Sequence, residues 1–596
     1  MIKAGDFLLN GIRIPESMPS PGRYAAEELQ KYLLQITGEN LPVRVDAPGE
    51  GRECCFVLEC SAEGFAKEGF DRTRIYWRET DRSLVLCGEN PISVLYAVYD
   101  FLKAFGGVRF YAPGSAFESV EACHEFILDP AEFPVEFSSA VAVRDFVNRT
   151  NSHEVFSFAV KNRINSILGC GPWVNGSDQC SKVNAALIHS FGLKIRGPGH
   201  SWKHFVPDPA LFAEHSEYFP LVNGKRIING RTCCFSNPDA RKVFMDNVRA
   251  YQKAHPYWDI FAFWAEDVPD MRYCDCEECR KKSTTEWYFL LCNEVAQILH
   301  EELPDAIFEL IVYRGTANAP EKPFPFFLNG EKMLIDFCFN LSRDLYHPLA
   351  EEINANIELC DSYRKWRTFL QKSSFKGKMM LMEYYNLCEF PNSGPCGRAL
   401  LWPLSVIRED VIFYLKEGFN ALGAFTGFDR LAFPTPLRLW TFLQLWSDPF
   451  LDLEALKQEF FTRYFGADSS RVMDYTGQFE KAMFEEVSEE NLDVLKNCLT
   501  LLDGLEGKRI EILRVHHEYS VIVKKVFLAW SRKEQSSYED AVTEWRSFPE
   551  RHARILAEFT APFPLLWYDF WCGSKIGWDR QGKWIELTEE KRKMWL

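Results

Sequence analysis

Eight short apolar runs constrain this chain more than any other feature of its sequence. They read "AVAVRDF", "INSILGC", "LKIRGPGH", "IFAFWAED", "IFELIVYR", "MLIDFCFN", "KMMLMEYY" and "ALGAFTGFD", starting at residue 140 and ending at 429. Runs apolar on both faces and separated by helical stretches are how buried parallel strands read. Eight such units over roughly 300 residues predict a (β/α)8 barrel. Nearly every run finishes in polar or aromatic groups: Arg144 and Asp145, His200 and Trp202, Glu266 and Asp267, Tyr313 and Arg314, Glu383 with Tyr384 and Tyr385, Asp429 and Arg430. A barrel brings the C-terminal ends of its strands to one face, and that face carries the chemistry.

The flanking segments have a different rhythm. In "SPGRYAAEELQKYLLQITG", Ser20 reads as an N-cap, Pro21 as the first helical residue and Gly38 as the stop, with Ala25, Leu29, Tyr32, Leu33 and Ile36 on one face. "NPISVLYAVYDFLKAFGG" repeats the pattern from Asn90 to Gly106, and strand-like "CCFVLEC", "RIYWRE" and "SLVLCGE" lie between the two. After "WSDPFLD" the apolar spacing is helical to the end, as in "LEALKQEFFTRYFG". The expected class is α/β: a TIM barrel over 136–450, preceded by a small α/β sandwich domain over 1–125 and followed by a helical C-terminal domain over 451–596.

Composition narrows the partners. The formal net charge of −16, without a long basic run, disfavours nucleic acid and anionic membrane surfaces, which both require clustered Lys and Arg. No run approaches the roughly 18 apolar residues of a spanning helix. The opening "MIKAGDFLLNGIRIPESMPSPG" has neither the apolar core nor the cleavage site of a secretory leader. The 19 cysteines therefore read as mostly reduced thiols, and a cytoplasmic location is expected. The 15% aromatic content serves large cores, and it also suits a sugar cleft, because flat rings stack on the C–H faces of pyranoses. A homo-oligomer is compatible with the sequence.

The stretch "GHSWKHFVPDPALFAEHSEYFPLVNGKR…RTCCFSNP…FWAEDVPDMRYCDCEEC", with "DLYHPL" and "RLAFPTPLRLWTFLQLWSDPFLDLEALKQEFF", resembles the bacterial family named domain of unknown function 4838. The N-terminal "AAEELQKYLLQITGENLPV" and "LYAVYDFLKAFGGVRFYAPG" are similar to the α/β domain that precedes the barrel in family 67 α-glucuronidases and family 20 β-hexosaminidases. The resemblance implies a glycoside hydrolase, exo-acting on a glycan or oligosaccharide, with paired carboxylates and no cofactor for catalysis. In family 67 a glutamate after the fourth strand is the general acid, which implies that role for Glu266. In the 4838 family the aspartate before the cysteines implies Asp267. Family 20 carries its pair as Asp-Glu, whereas this chain has Glu-Asp, so substrate-assisted catalysis does not carry over.

Glycoside hydrolysis uses one carboxyl to protonate the leaving oxygen and another to attack or to activate water. Glu383 is the first candidate for the second carboxylate and Asp429 the next. Arg144, His200, Trp202, Trp264, Tyr313, Arg314, His347 and Tyr384 are the substrate-binding candidates, with Arg144 or Arg314 suited to a uronate carboxylate. Two other readings stay open: a glycan-binding barrel without catalysis, and a uronate lyase or isomerase. Cys274, Cys276 and Cys279 follow Glu266 in the order C-x-C-x-x-C. Cys233 or Cys234, with Cys234 taken, can complete a structural zinc site of four thiolates. Unmetallated thiols and a disulfide are the alternatives.

Overall fold

The computed structural model describes residues 1–46, 54–147, 153–168, 182–266, 273–338, 344, 347–353, 356–383, 403–425, 436–485 and 487–555. Eight parallel strands close into a barrel: Val143–Val147, Ser166–Leu168, Lys194–His200, Ile260–Trp264, Ile307–Val312, Met333–Cys338, Lys378–Glu383 and Ala421–Phe425. Each coincides with one of the eight apolar runs, the first extending one residue past its run to Val147, and the last pairs with the first, Val143 opposite Ala421. α-Helices follow the strands except between the fifth and sixth. There the connection carries Pro320, Pro323 and Pro325, which interrupt a helix by removing backbone donors, and only 3-10 turns form.

The barrel interior is layered. The lowest layer is apolar: Val143, Ile260, Leu334, Met380 and Ala421, with Ile307 against them. The upper layer is Leu168, Ala262, Trp264, Ile311, Cys338 and Met382, with Tyr313 packed on it. Between them lies a charged layer. Arg196 of the third strand bonds Asp145 of the first at 2.9 Å, Glu309 of the fifth at 2.5 and 2.7 Å, and Asp336 of the sixth at 2.5 Å. All four side chains are fully buried. Gly423 of the eighth strand makes room: a Cβ there would stand 2.5 Å from Met380 Cε and 3.6 Å from an Arg196 guanidinium nitrogen.

The N-terminal unit is a six-stranded mixed sheet. Its order is Val135–Ser139, Phe70–Arg78, Ser83–Gly88, Phe56–Cys60, Ile12–Pro15 and Val43–Asp46. The helices Ser20–Thr37 and Pro91–Ala104 pack beside each other. Asn90 caps the second by accepting from the Ser93 N–H, as expected, but Pro19 rather than Ser20 caps the first. The unit extends past the expected boundary at 125, because Phe126–Leu128 pairs with Ile2–Ala4 and Val135–Ser139 pairs with Phe70–Arg78. Helices Leu453–Phe465, Ser469–Phe484, Glu489–Cys498, Lys508–Arg532 and Gln535–Arg551 follow the barrel. The first of them bridges back to the N-terminal unit: Tyr111 packs against Phe460 and Tyr464 at 5.1 and 5.3 Å, and Arg109 pairs with Glu459. Among the described residues, no helix is long and apolar enough to cross a membrane.

An ionic seam joins the N-terminal unit to the outer wall of the barrel. Arg144 pairs with Asp71 and also donates to the carbonyls of Val141 and Arg163. Asn165 Nδ2 reaches Asp71 at 2.9 Å, and Arg163 pairs with Asp100. Burial alone would raise the Asp71 pKa, but the Arg144 charge and the hydrogen bonds from Arg144, Asn90 and Asn165 lower it to about 2. The unfolded value is about 3.9, so the seam's contribution is complete above pH ~4 and is lost as pH falls through ~2. Asp71→Ala strands a buried guanidinium, at an expected cost of about 3–5 kcal/mol in chemical denaturation near neutral pH. Adding Arg144→Met should recover much of that loss; a double variant no better than the single would show that the ion pair is not what holds the seam.

Candidate active site

The mouth of the barrel is built by strand ends whose lumen-facing alternation carries through from the core. On the fourth strand Ile260, Ala262 and Trp264 face inward and Phe261 and Phe263 face the helices. Trp264 closes the upper layer. Its indole N–H donates to Glu309 Oε1 at 2.7 Å, and its ring lies 5.3 Å from the Arg196 guanidinium carbon, so the charged layer holds the ring from beneath. His200 ends the third strand, with its ring 5.2 Å from Trp264 and 6.3 Å from Tyr313. Its Nδ1 is hydrogen-bonded to the Ala265 carbonyl, which can only accept, so the proton sits on Nδ1 and the ring orientation is set. Glu266 follows, half-buried, and its Oε1 accepts the backbone N–H of Lys203 at 2.9 Å. His200, Trp264 and Tyr313 therefore meet from three consecutive strands, and Glu266 stands two residues past the end of the fourth.

Other candidates are placed elsewhere. Arg144 alternates with the lumen-facing Asp145 and is spent on the seam with Asp71, so it does not offer a carboxylate clamp to the mouth. Trp202 is fully buried among Phe235, Phe244, Phe263, Tyr273 and Tyr288, and serves the core rather than a sugar. Glu383 ends the seventh strand, where Met380 and Met382 are the lumen-facing residues. Its carboxylate is buried and accepts from the Tyr414 hydroxyl on the helix Leu404–Lys416, which places it on the helix side of the wall. His347 lies beyond the sixth strand, half-exposed, with Nδ1 2.9 Å from Asp344 Oδ2. Asp267, Tyr384 and Asp429, and the side chain of Arg314, lie outside the described residues.

Two sets of polar groups near the strand ends and in the barrel core are not among the sequence candidates. Asp344 stands in the loop after the sixth strand, with its backbone held to Asn356 Oδ1 at 3.0 Å; the signal was the acid three residues before His347 in "DLYHPL". The buried quartet Arg196, Asp145, Glu309 and Asp336 was visible only as single charges inside apolar runs. Cys234, Cys274, Cys276 and Cys279 converge with every sulfur within 4.8 Å of the others, whereas Cys233 turns into the main core.

The quartet sets one cation against three carboxyl groups. Burial raises the Asp336 pKa most; Arg196 pulls it back, and Glu309 and Asp145 push it up again, to about 8.

The family model described as domain of unknown function (DUF4838) matches residues 115–477. No curated protein matches the chain. Among solved structures, a family GH115 4-O-methyl-α-glucuronidase with specificity for decorated arabinogalactans is similar with a TM-score of 0.60 and 12% identity, over 99% of this chain and 80% of that one. A GH138 enzyme targeting pectin rhamnogalacturonan II is similar with a TM-score of 0.51 and 9% identity, over 94% and 74% of the two chains. Both likenesses establish a shared fold.

A raised folded pKa gives Asp336 a stabilising contribution that is full below the unfolded value of ~3.9 and is lost as pH rises through ~8. Asp336→Asn keeps a neutral acceptor for Arg196 and removes that loss. Thermal unfolding followed across pH 5–9 (a range of about four pH units) should show the variant gaining on wild type toward the alkaline end. A gap that stays constant with pH would mean that Asp336 is ionised throughout.

Proposed function

The chain belongs to the DUF4838 family, and from that premise we propose that it is a glycoside hydrolase working at the C-terminal mouth of its barrel. The observation that carries this reading is Glu266, two residues past the end of the fourth strand, with Oε1 held by the Lys203 N–H, on the strand whose last residue, Trp264, meets His200, itself near Tyr313. Trp264 offers a flat apolar face, held from below by Glu309, on which a pyranose ring can stack. The Lys203 N–H orients the Glu266 carboxyl, and His200, fixed by the Ala265 carbonyl, lies beside the same floor.

In this mechanism Glu266 donates its proton to the glycosidic oxygen as the bond to the anomeric carbon breaks, and takes a proton back from the incoming water. Such a carboxyl offsets the charge that develops on the leaving oxygen, a contribution of roughly 10²–10⁴ in rate. The second carboxylate is Asp267 or Asp344, the latter in the connection after the sixth strand and paired with His347. Glu383, engaged with Tyr414, is a wall residue in this reading. The likeness to the GH115 α-glucuronidase favours an exo-acting enzyme on a uronic-acid-bearing oligosaccharide, with Arg314 as the candidate for the substrate carboxylate. A β-hexosaminidase-like specificity is the alternative within the same class. The helix-side position of Glu383 favours a second reading, glycan binding without turnover.

Aryl and alkyl glycosides, including glucuronides and N-acetylhexosaminides, separate these readings. Glu266→Gln should lower kcat by roughly 10²–10⁴-fold on a poor alkyl leaving group, and by less on a nitrophenyl one that needs no protonation. Glu383→Gln should leave kcat within a few-fold of wild type. An undiminished Glu266→Gln rate would defeat the assignment, and saturable glycan binding with no hydrolysis by wild type would establish the binding reading instead.

A further inference from the structure

The four convergent cysteines are the strongest feature of the molecule that the glycosidase reading does not use. Cys234 comes from the turn that leads into the helix Pro238–Ala254, within the long connection after the third strand. Cys274, Cys276 and Cys279 come from the connection after the fourth strand, the same one that Glu266 opens. Cys234 Sγ lies 3.8 Å from that of Cys274, 3.7 Å from Cys276 and 3.9 Å from Cys279. A disulfide needs sulfurs about 2.05 Å apart. A tetrahedron of thiolates around an ion at about 2.3 Å has edges of about 3.8 Å. The three spacings from Cys234 match the edges of that tetrahedron, and every other pair lies within 4.8 Å.

The surroundings suit sulfur that carries negative charge. The Leu221 N–H points at Cys274 Sγ at 3.2 Å, and the Cys279 N–H points at Cys276 Sγ at 3.4 Å. An Arg226 guanidinium nitrogen stands 3.8 Å from Cys274. Ser236 Oγ lies 3.1 to 3.4 Å from Cys234, Cys276 and Cys279. Four thiolates around a divalent cation leave a net charge of −2, and outer N–H groups with a guanidinium offset it. Cys234, Cys274 and Cys279 are buried, so a cluster of charged sulfurs without a cation would bear a large desolvation and repulsion penalty.

We propose that Cys234, Cys274, Cys276 and Cys279 bind one structural Zn²⁺ that staples the connection after the third strand to the one after the fourth. Thiolate softness selects zinc over magnesium or calcium, and four protein ligands leave no position for a reacting water. The site acts on the fold. The Asp275 N–H donates to the Leu221 carbonyl at 2.7 Å, so the same segment also grips the hairpin Leu221–Val222 and Lys225–Arg226. Tyr273, next to the first ligand of the triplet, packs on Trp202 and Phe235 at 5.2 and 5.4 Å. This inference holds whether or not the protein cleaves glycosides.

Full-length protein expressed with supplementary zinc and purified without chelator should contain about one zinc per chain by inductively coupled plasma mass spectrometry. Exchange of that metal for Co²⁺ should produce the sulfur-to-cobalt charge-transfer absorption and visible bands of a tetrahedral thiolate site. Cys276→Ser changes the most exposed ligand and should release zinc to a chelator at least ~10-fold more readily, while Cys60→Ser, at an exposed thiol elsewhere, should retain it. Chelation should also expose the 273–281 segment to proteolysis. Folded wild-type protein with under about 0.2 equivalents of zinc and no tetrahedral cobalt spectrum would overturn the proposal. So would iron in place of zinc, or full zinc retention by a folded Cys234→Ser, Cys276→Ser double variant.

Discussion

Arg196 is the constraint on which the rest of the structure depends. From the third strand its guanidinium reaches carboxylates on the first, fifth and sixth, and so ties half of the barrel across its own axis. A buried ionic quartet is a poor source of net stability, because desolvating each ion costs several kcal/mol and the Coulombic attraction only offsets it. Its value here is geometric. An apolar layer of similar volume would tolerate a shift in strand register; a guanidinium with bidentate contact to Glu309 and single contacts to Asp145 and Asp336 does not. Gly423 shows how closely the eighth strand has adapted to it, since any side chain there would press on Met380.

The same layer reaches upward. Glu309 accepts from both Arg196 and the Trp264 indole, so the floor of the mouth is bonded to the core beneath it. Around this axis the other units hold the wall from outside. The Arg144–Asp71 seam fastens the N-terminal sheet to the first strand, and the helix Leu453–Phe465 closes over Tyr111 from the other flank. A rigid wall serves a site made of strand ends, because groups on strands are placed more accurately than groups on long loops.

Much of the architecture was legible along the chain because burial on both faces leaves a local imprint. Each of the eight apolar runs marks one strand, and the helix stop at Gly38 and the helix start at Asn90 stand where short-range chemistry puts them. The site was legible in part. His200, Trp264 and Tyr313 meet at the mouth, with Glu266 two residues past the end of the fourth strand. Arg144, Trp202 and Glu383 had the same position at the ends of runs, yet they face the seam, the aromatic core and Tyr414. A strand's side chains alternate with a period of two, so an error of one residue in phase turns a lumen group into a wall group.

By itself, then, the sequence determined the order and class of the elements, the acid at the end of the fourth run and the cysteine triplet behind it. These are properties of segments shorter than a helix turn or a strand, set by local spacing and apolar content. Only the tertiary structure decided which charges cancel one another in the barrel core, that the seam claims Arg144, and that Cys234 rather than Cys233 joins the triplet. Those outcomes depend on contacts between residues far apart in the chain, 140 positions in the case of Arg196 and Asp336, and they exist only once the barrel has closed.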